Sequence, residues 1–162
     1  MTTTSYAIAL GSNRPGRHGG PHAEVRAALA AMEVTIGTVT AVSPILTTAP
    51  VGPSIRAFAN AAALVESALT PSEMLAELKG IERRFGRRRG QRWGARVIDL
   101  DIILWSGGKW RSPELIVPHI AYADRAFVLH PLAQIAADWR DPRDGRRISH
   151  MRHGVDRRRP RP

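Results

Sequence analysis

Five consecutive apolar residues, Tyr6 to Leu10, run into Gly11-Ser12-Asn13, which is the pattern of a buried strand ending in a turn. Arg14 to Gly20 is rich in Gly, Pro and Arg and reads as loop. Pro21 to Met32 predicts a helix: Pro21 suits a first turn, and Val25, Leu29 and Met32 fall on one face. Val34 to Thr48 is rich in Val, Ile and Thr and predicts one long strand. Ala49 to Arg56 carries Pro50, Gly52 and Pro53 and reads as a second irregular loop, after which Phe58 to Ser67 returns to strand.

Thr70-Pro71-Ser72-Glu73 opens a second helix, with Thr70 as N-cap and Glu73 placed to complete a capping box. Its apolar stripe is Met74, Leu75, Leu78, Ile81 and Phe85, and Gly86 ends it. Ile98 to Trp105 is a strand whose apolar run is interrupted by Asp99 and Asp101. Gly107-Gly108 is expected to turn a hairpin into Lys109 to Arg111. Pro118-His119 opens an irregular stretch, and Phe127 to Ala136 reads as a short, partly helical apolar segment. The order β-α-β-β-α-β does not alternate strictly, which disfavours a doubly wound parallel sheet. It fits a ferredoxin-like α+β domain: an antiparallel sheet with two helices on one face, plus a C-terminal hairpin and helical pieces. A single domain over residues 1–145 is expected, followed by a basic tail, 146–162, that is expected to be disordered.

The 162 residues carry a formal charge of +10, and all but Lys79 and Lys109 of the basic residues are Arg. Residues 83–96 account for +7 and residues 152–162 for +4, so the remaining body is nearly neutral. A 43% hydrophobic fraction fits a folded domain rather than a disordered chain. With no cysteine, the chain has no disulfide scaffold, thiol nucleophile or Cys-ligated metal centre. No apolar run approaches the ~20 residues of a membrane span. The N-terminus lacks a basic segment before a signal-type apolar run, so a cytoplasmic protein without a membrane partner is expected.

Asp99 and Asp101 stand two apart on a strand, so both carboxylates face one side. Close carboxylates repel unless a cation compensates them. Mg²⁺ takes one or two carboxylates and fills its shell with water and phosphate oxygens. Beside an Arg-rich loop, the pair therefore suggests metal-assisted phosphoryl transfer, with Arg residues neutralising transition-state charge. Salt bridges between the two Asp residues and the Arg loop are the alternative. A P-loop is absent, and Gly11-Ser12-Asn13 is no dinucleotide fingerprint. The charge also raises an RNA-binding reading, but the strands lack aromatic stacking positions, so a nucleic-acid partner is disfavoured.

At these residues the sequence resembles the 6-hydroxymethyl-7,8-dihydropterin pyrophosphokinases of folate biosynthesis. The motifs are Ala9-Leu10-Gly11-Ser12-Asn13, Thr48-x-Pro50-x-Gly52, Phe58-x-Asn60, Ile81-Glu82 and Gly86-Arg87-x-Arg89. Then follow Arg92-Trp93-Gly94-x-Arg96-x-Ile98-Asp99-Leu100-Asp101-Ile102, Val117-Pro118-His119, and Arg125-x-Phe127-x-Leu129-x-Pro131-Leu132. They keep the family's order across residues 6–136, and the segment 14–20 departs from the family's usual shorter turn. The resemblance implies a ferredoxin-like fold and transfer of the β,γ-diphosphate of ATP to the pterin hydroxymethyl group, releasing AMP. It implies that Asp99 and Asp101 bind two Mg²⁺ ions and that Arg87 and Arg96 are catalytic. ATP would be lined by Glu82, Arg89, Trp93, Arg96, Ile102, His119 and Arg125. The pterin would be held by Thr48, Pro50, Val51, Phe58, Asn60 and Phe127. ATP and the pterin are then the expected partners, and a monomer is the expected state.

Overall fold

The computed structural model describes residues 2–48, 57–86 and 97–158. The central sheet contains β1 (Thr4–Ser12), β2 (Thr38–Val42), β3 (Leu46–Thr48), β4 (Phe58–Ser67) and β5 (Asp99–Trp105). Its order is β2-β4-β1-β5, with β3 also paired to β4, and every pairing is antiparallel. Helices α1 (Pro21–Thr35) and α2 (Pro71–Arg84) supply the two crossovers. This is the ferredoxin-like arrangement expected from the element order. Among the described residues no helix is long and apolar enough to cross a membrane.

The capping box forms as expected: Glu73 N–H donates to Thr70 Oγ1, and Glu73 Oε1 accepts from Thr70 N–H at 2.9 Å. The stripe below it buries Met74, Leu78 and Ile81 completely. Those residues meet Val25, Ala28 and Met32 of α1 and Tyr6, Ile8, Leu10, Leu100 and Ile102 of the sheet.

The predicted strand from Val34 to Thr48 is interrupted. Helix α1 continues to Thr35, and Gly37 takes φ +148°, where an added Cβ would lie 2.1 Å from the Glu66 carbonyl oxygen. A second break follows Val42, where buried Ser43 bonds Ala62 through both its backbone N–H and its Oγ. Pro44, which lacks an N–H, then prevents the ladder from continuing unbroken.

The opposite sheet face carries a second apolar layer that the sequence reading lacked. Ala7, Ala62, Ile103 and Leu104 pack against α3 (Ala126–Ala136) and α4 (Ile148–Arg158). The expected disorder of the tail is not found over 148–158. Ile148, Met151 and Val155 lie on one face of α4 and are buried against Leu129 and Leu132. Three apolar residues at helical spacing suffice to fix a basic helix on an existing core.

The Gly107-Gly108 hairpin is also corrected. Strand β6 (Trp110–Ser112) pairs with β7 (Leu115–Val117), not with β5. The outer edge of β5 is used otherwise: Leu100 N–H donates to Glu82, and Ile103 O accepts from His119 N–H. Covering an edge strand with side chains and loop backbone in this way removes it as a pairing site.

Candidate active site

Directly paired residues on neighbouring strands share a sheet face. Gly11 of β1 pairs with Asn60 of β4 on one side and with Asp99 of β5 on the other. Asn60 and Asp99 therefore stand on one rung, two strand spacings or about 10 Å apart. Ala9 pairs in the same way with Ala62 and Asp101, so both carboxylates share this face. A β-bulge at Ile103 leaves Asp99 and Asp101 on the side of α3 while Leu100 and Ile102 enter the opposite core. Space above Gly11 is tight: an added Cβ would lie 3.1 Å from Asn60 Oδ1.

The two carboxylates are half-buried. Between them, Leu100 N–H donates to Glu82 Oε2 at 2.9 Å, which fixes β5 to α2. On the other flank the cis Val117–Pro118 bond precedes His119, whose Nδ1 accepts from Ala121 N–H at 3.1 Å. That bond places the proton of the neutral ring on Nε2. Burial lowers the His119 pKa, and Arg125 acts in the same direction, while Asp101 and Asp99 oppose the shift.

Glu82, Asp99, Asp101, His119 and Arg125 all line one cleft of about 660 Å³. These five sequence-predicted residues, drawn from α2, β5 and the approach to α3, are thus brought together. The cleft has further walls that sequence reasoning missed: Leu75 and Lys79 of α2, and the β6–β7 turn from Ser112 to Ile116. Leu75, Lys79 and Glu82 are spaced four and three apart, which is one helix face, and that spacing is a signal the sequence did contain.

Other predicted residues fall elsewhere. Ile102 is buried in the core behind the cleft and does not line it. Phe58 is half-buried two residues before Asn60, on the same face of β4, and pairs with Thr48 at the end of β3. Phe127 is 43% exposed, with the Arg125 guanidinium 5.7 Å from its ring centre. Pro50, Val51, Arg87, Arg89, Trp93 and Arg96 lie outside the described residues.

Comparison with known proteins bears on the fold and the family. A chain from Plasmodium falciparum described as HPPK-DHPS superposes with a TM-score of 0.76 at 14% identity, covering 96% of this chain and 44% of that longer one. At that identity the likeness concerns the fold. A Pseudomonas aeruginosa protein named 2-amino-4-hydroxy-6-hydroxymethyldihydropteridine pyrophosphokinase is 41% identical over 146 residues, covering 89% of this chain and 87% of its own. A Bacillus subtilis protein of the same name is 39% identical over 165 residues and covers 96% of both chains. Residues 7–137 match the family described as 7,8-dihydro-6-hydroxymethylpterin-pyrophosphokinase, and the chain belongs to that family.

Proposed function

We propose that this chain transfers the β,γ-diphosphate of ATP to the hydroxymethyl oxygen of 6-hydroxymethyl-7,8-dihydropterin. That oxygen attacks the β-phosphorus, the bond from Pβ to the α,β-bridging oxygen breaks, AMP leaves, and the hydroxyl proton is released. The observation that carries the reading is the rung Asn60–Gly11–Asp99 on the α3 side of the sheet, where Asp99 reaches the cleft and Asn60 is buried. It sets an amide able to read paired donors and acceptors beside a carboxylate suited to a metal–phosphate complex, with a bare glycine floor between them.

The donor set fits Mg²⁺. Among the described residues no three His, Asp or Glu side chains gather as a complete metal site. Two carboxylates on one face suit a hard cation that takes its remaining ligands from water and substrate phosphates. Asp99 and Asp101 would hold it, and such an ion supplies charge neutralisation across the polyphosphate.

The remaining roles belong to the chain itself. Glu82 holds the Leu100 backbone and so fixes the spacing of the two carboxylates. His119 presents Nε2–H toward the cleft as a phosphate-oxygen donor. Arg125 adds positive charge on the same side, and its packing on Phe127 limits its conformations. Arg87 and Arg96 are assigned to the transferring phosphoryl charge, Arg89 and Trp93 to the nucleotide, and Asn60 and Phe58 to the pterin, on the sequence motif.

Product analysis tests the reading. Incubation with ATP, Mg²⁺ and the hydroxymethyl dihydropterin is expected to yield AMP in a pterin-dependent manner. ADP formation, or no turnover, overturns it.

A further inference from the structure

The loop before α1 is built around a buried carboxylate. Gly16 and Gly19 bond each other through both backbone pairs, at 3.0 and 3.2 Å, closing a tight turn with His18 inside it. His18 then donates twice to Glu24: its backbone N–H to Oε1 and its Nδ1 to Oε2, both at 2.8 Å. Glu24 is completely buried in the first turn of α1.

The turn touches both junctions of the proposed site. The His18 ring lies 4.8 Å, centre to centre, from the Phe85 ring that closes α2. Gly16 packs so closely on Glu24 and Val97 that an added Cβ would lie 2.6 Å from Glu24 Oε1 and from Val97 Cγ1. Phe85 is three residues beyond Glu82, and Val97 is two residues before Asp99.

Stability alone is a poor reason for this arrangement. Burying a carboxylate is costly, and well-packed apolar residues commonly serve as well or better. What a buried, doubly hydrogen-bonded anchor supplies is one fixed geometry. We propose that the His18–Glu24 pair is a positioning device for phosphoryl transfer: it fixes Phe85 and Val97, and through them the Glu82–Leu100 bond and Asp99. The catalytic part of this inference rests on the diphosphotransfer reading.

Three substitutions test it: His18→Ala, which removes the anchor's side chain; His18→Asn, which keeps a side-chain donor; and Gly16→Ala, which keeps His18 and Glu24 but wedges the turn away from both Glu24 Oε1 and Val97. In folded H18A and G16A, kcat is expected to fall about 10- to 100-fold, as for a misplacement of about 1 Å, with the pterin KM little changed. H18N is expected to recover most of the loss. In the substrate-free proteins, amide exchange at Leu100 is expected to accelerate in H18A and G16A relative to wild type. That readout is independent of turnover, so it separates failure of the positioning device from failure of the reaction assignment. Wild-type kcat and unchanged Leu100 exchange in G16A overturn the proposal, even if H18A fails to fold. A lowered melting temperature in folded H18A with wild-type kcat overturns it as well.

Discussion

Glu82 and Leu100 are joined by a side-chain-to-backbone hydrogen bond of 2.9 Å, and Leu100 is the residue between Asp99 and Asp101. A buried acceptor on α2 thus sets the height of two carboxylates on the edge strand. Glu82→Ala would leave a buried N–H without that partner, at a cost of about 1–3 kcal/mol. Glu82→Gln keeps an acceptor oxygen and should retain most of the stability. Denaturant unfolding and kcat measured on both variants check this: Ala is expected to lose both, and Gln to lose mainly the charge-dependent part of activity.

Gly11→Ala acts on the other substrate. The new methyl would press on Asn60 Oδ1 from 3.1 Å, so the amide must shift by a few tenths of an ångström. Misaligning one such hydrogen-bonding group should raise the pterin KM roughly tenfold, on the scale of about 1.4 kcal/mol per lost bond. The ATP KM should change little, because Asp99, Asp101 and Glu82 are untouched. Steady-state kinetics with each substrate varied in turn distinguishes this outcome from a general loss of fold.

Asp99→Asn and Asp101→Asn keep side-chain volume and remove one negative charge each. If the pair holds the metal–phosphate complex, each change should lower kcat by about 10³-fold or more, corresponding to several kcal/mol of transition-state stabilisation. Melting temperatures measured alongside kcat separate loss of the metal site from loss of the fold. Full activity in either variant would remove the metal assignment.

These sites were unequally visible in the sequence. The Asp99–Asp101 pair and the Thr70–Glu73 box are local patterns, and both elements formed where the spacing placed them. Asn60 and Asp99 share one rung only because β1 lies between β4 and β5, and that order is a property of the sheet rather than of any segment. The tail failed as a reading because charge outweighed periodicity: Arg and His surround Ile148, Met151 and Val155, yet those residues share one helix face. Gly107-Gly108 looked like a hairpin turn, but Pro113-Glu114 makes the tight connection, joining Ser112 to its partner Leu115. A Cβ at Gly107 would meet the Trp105 ring at 2.3 Å, so that glycine serves a close approach instead.

Asp141 governs the acid limit of the C-terminal layer. It is fully buried, accepts the Tyr122 hydroxyl at 2.7 Å, and is gripped by Arg143 through Nη2 at 2.6 Å. Burial alone would raise its pKa, but the Arg143 and Tyr122 hydrogen bonds outweigh it and hold the pKa below the usual carboxylate value. A depressed carboxyl pKa contributes stability above the unfolded value of about 3.9, and that contribution is lost as pH falls through the folded value. Wild type should therefore lose stability below about pH 4 more steeply than Asp141→Asn. At neutral pH the Asn variant should be weaker by about 2 kcal/mol, the scale of hydrogen bonds to a charged group. Unfolding midpoints across pH 2 to 7 for both proteins check the sign and the window.

Helix α4 makes the last test one of packing rather than charge. Ile148 is fully buried and Met151 is 3% exposed, both in the layer that also holds Leu129, Leu132 and the inner face of the sheet. Ile148→Ala and Met151→Ala should each cost about 2–5 kcal/mol, the range for emptying a core position. Reversing the outer charges Arg157 and Arg158 to Glu should change stability far less, since exposed charges interact weakly with a screened surface. An unfolding series on these four substitutions decides the matter. If the apolar variants were as stable as wild type while the charge reversals unfolded the layer, α4 would be held by its arginines and not by its buried face.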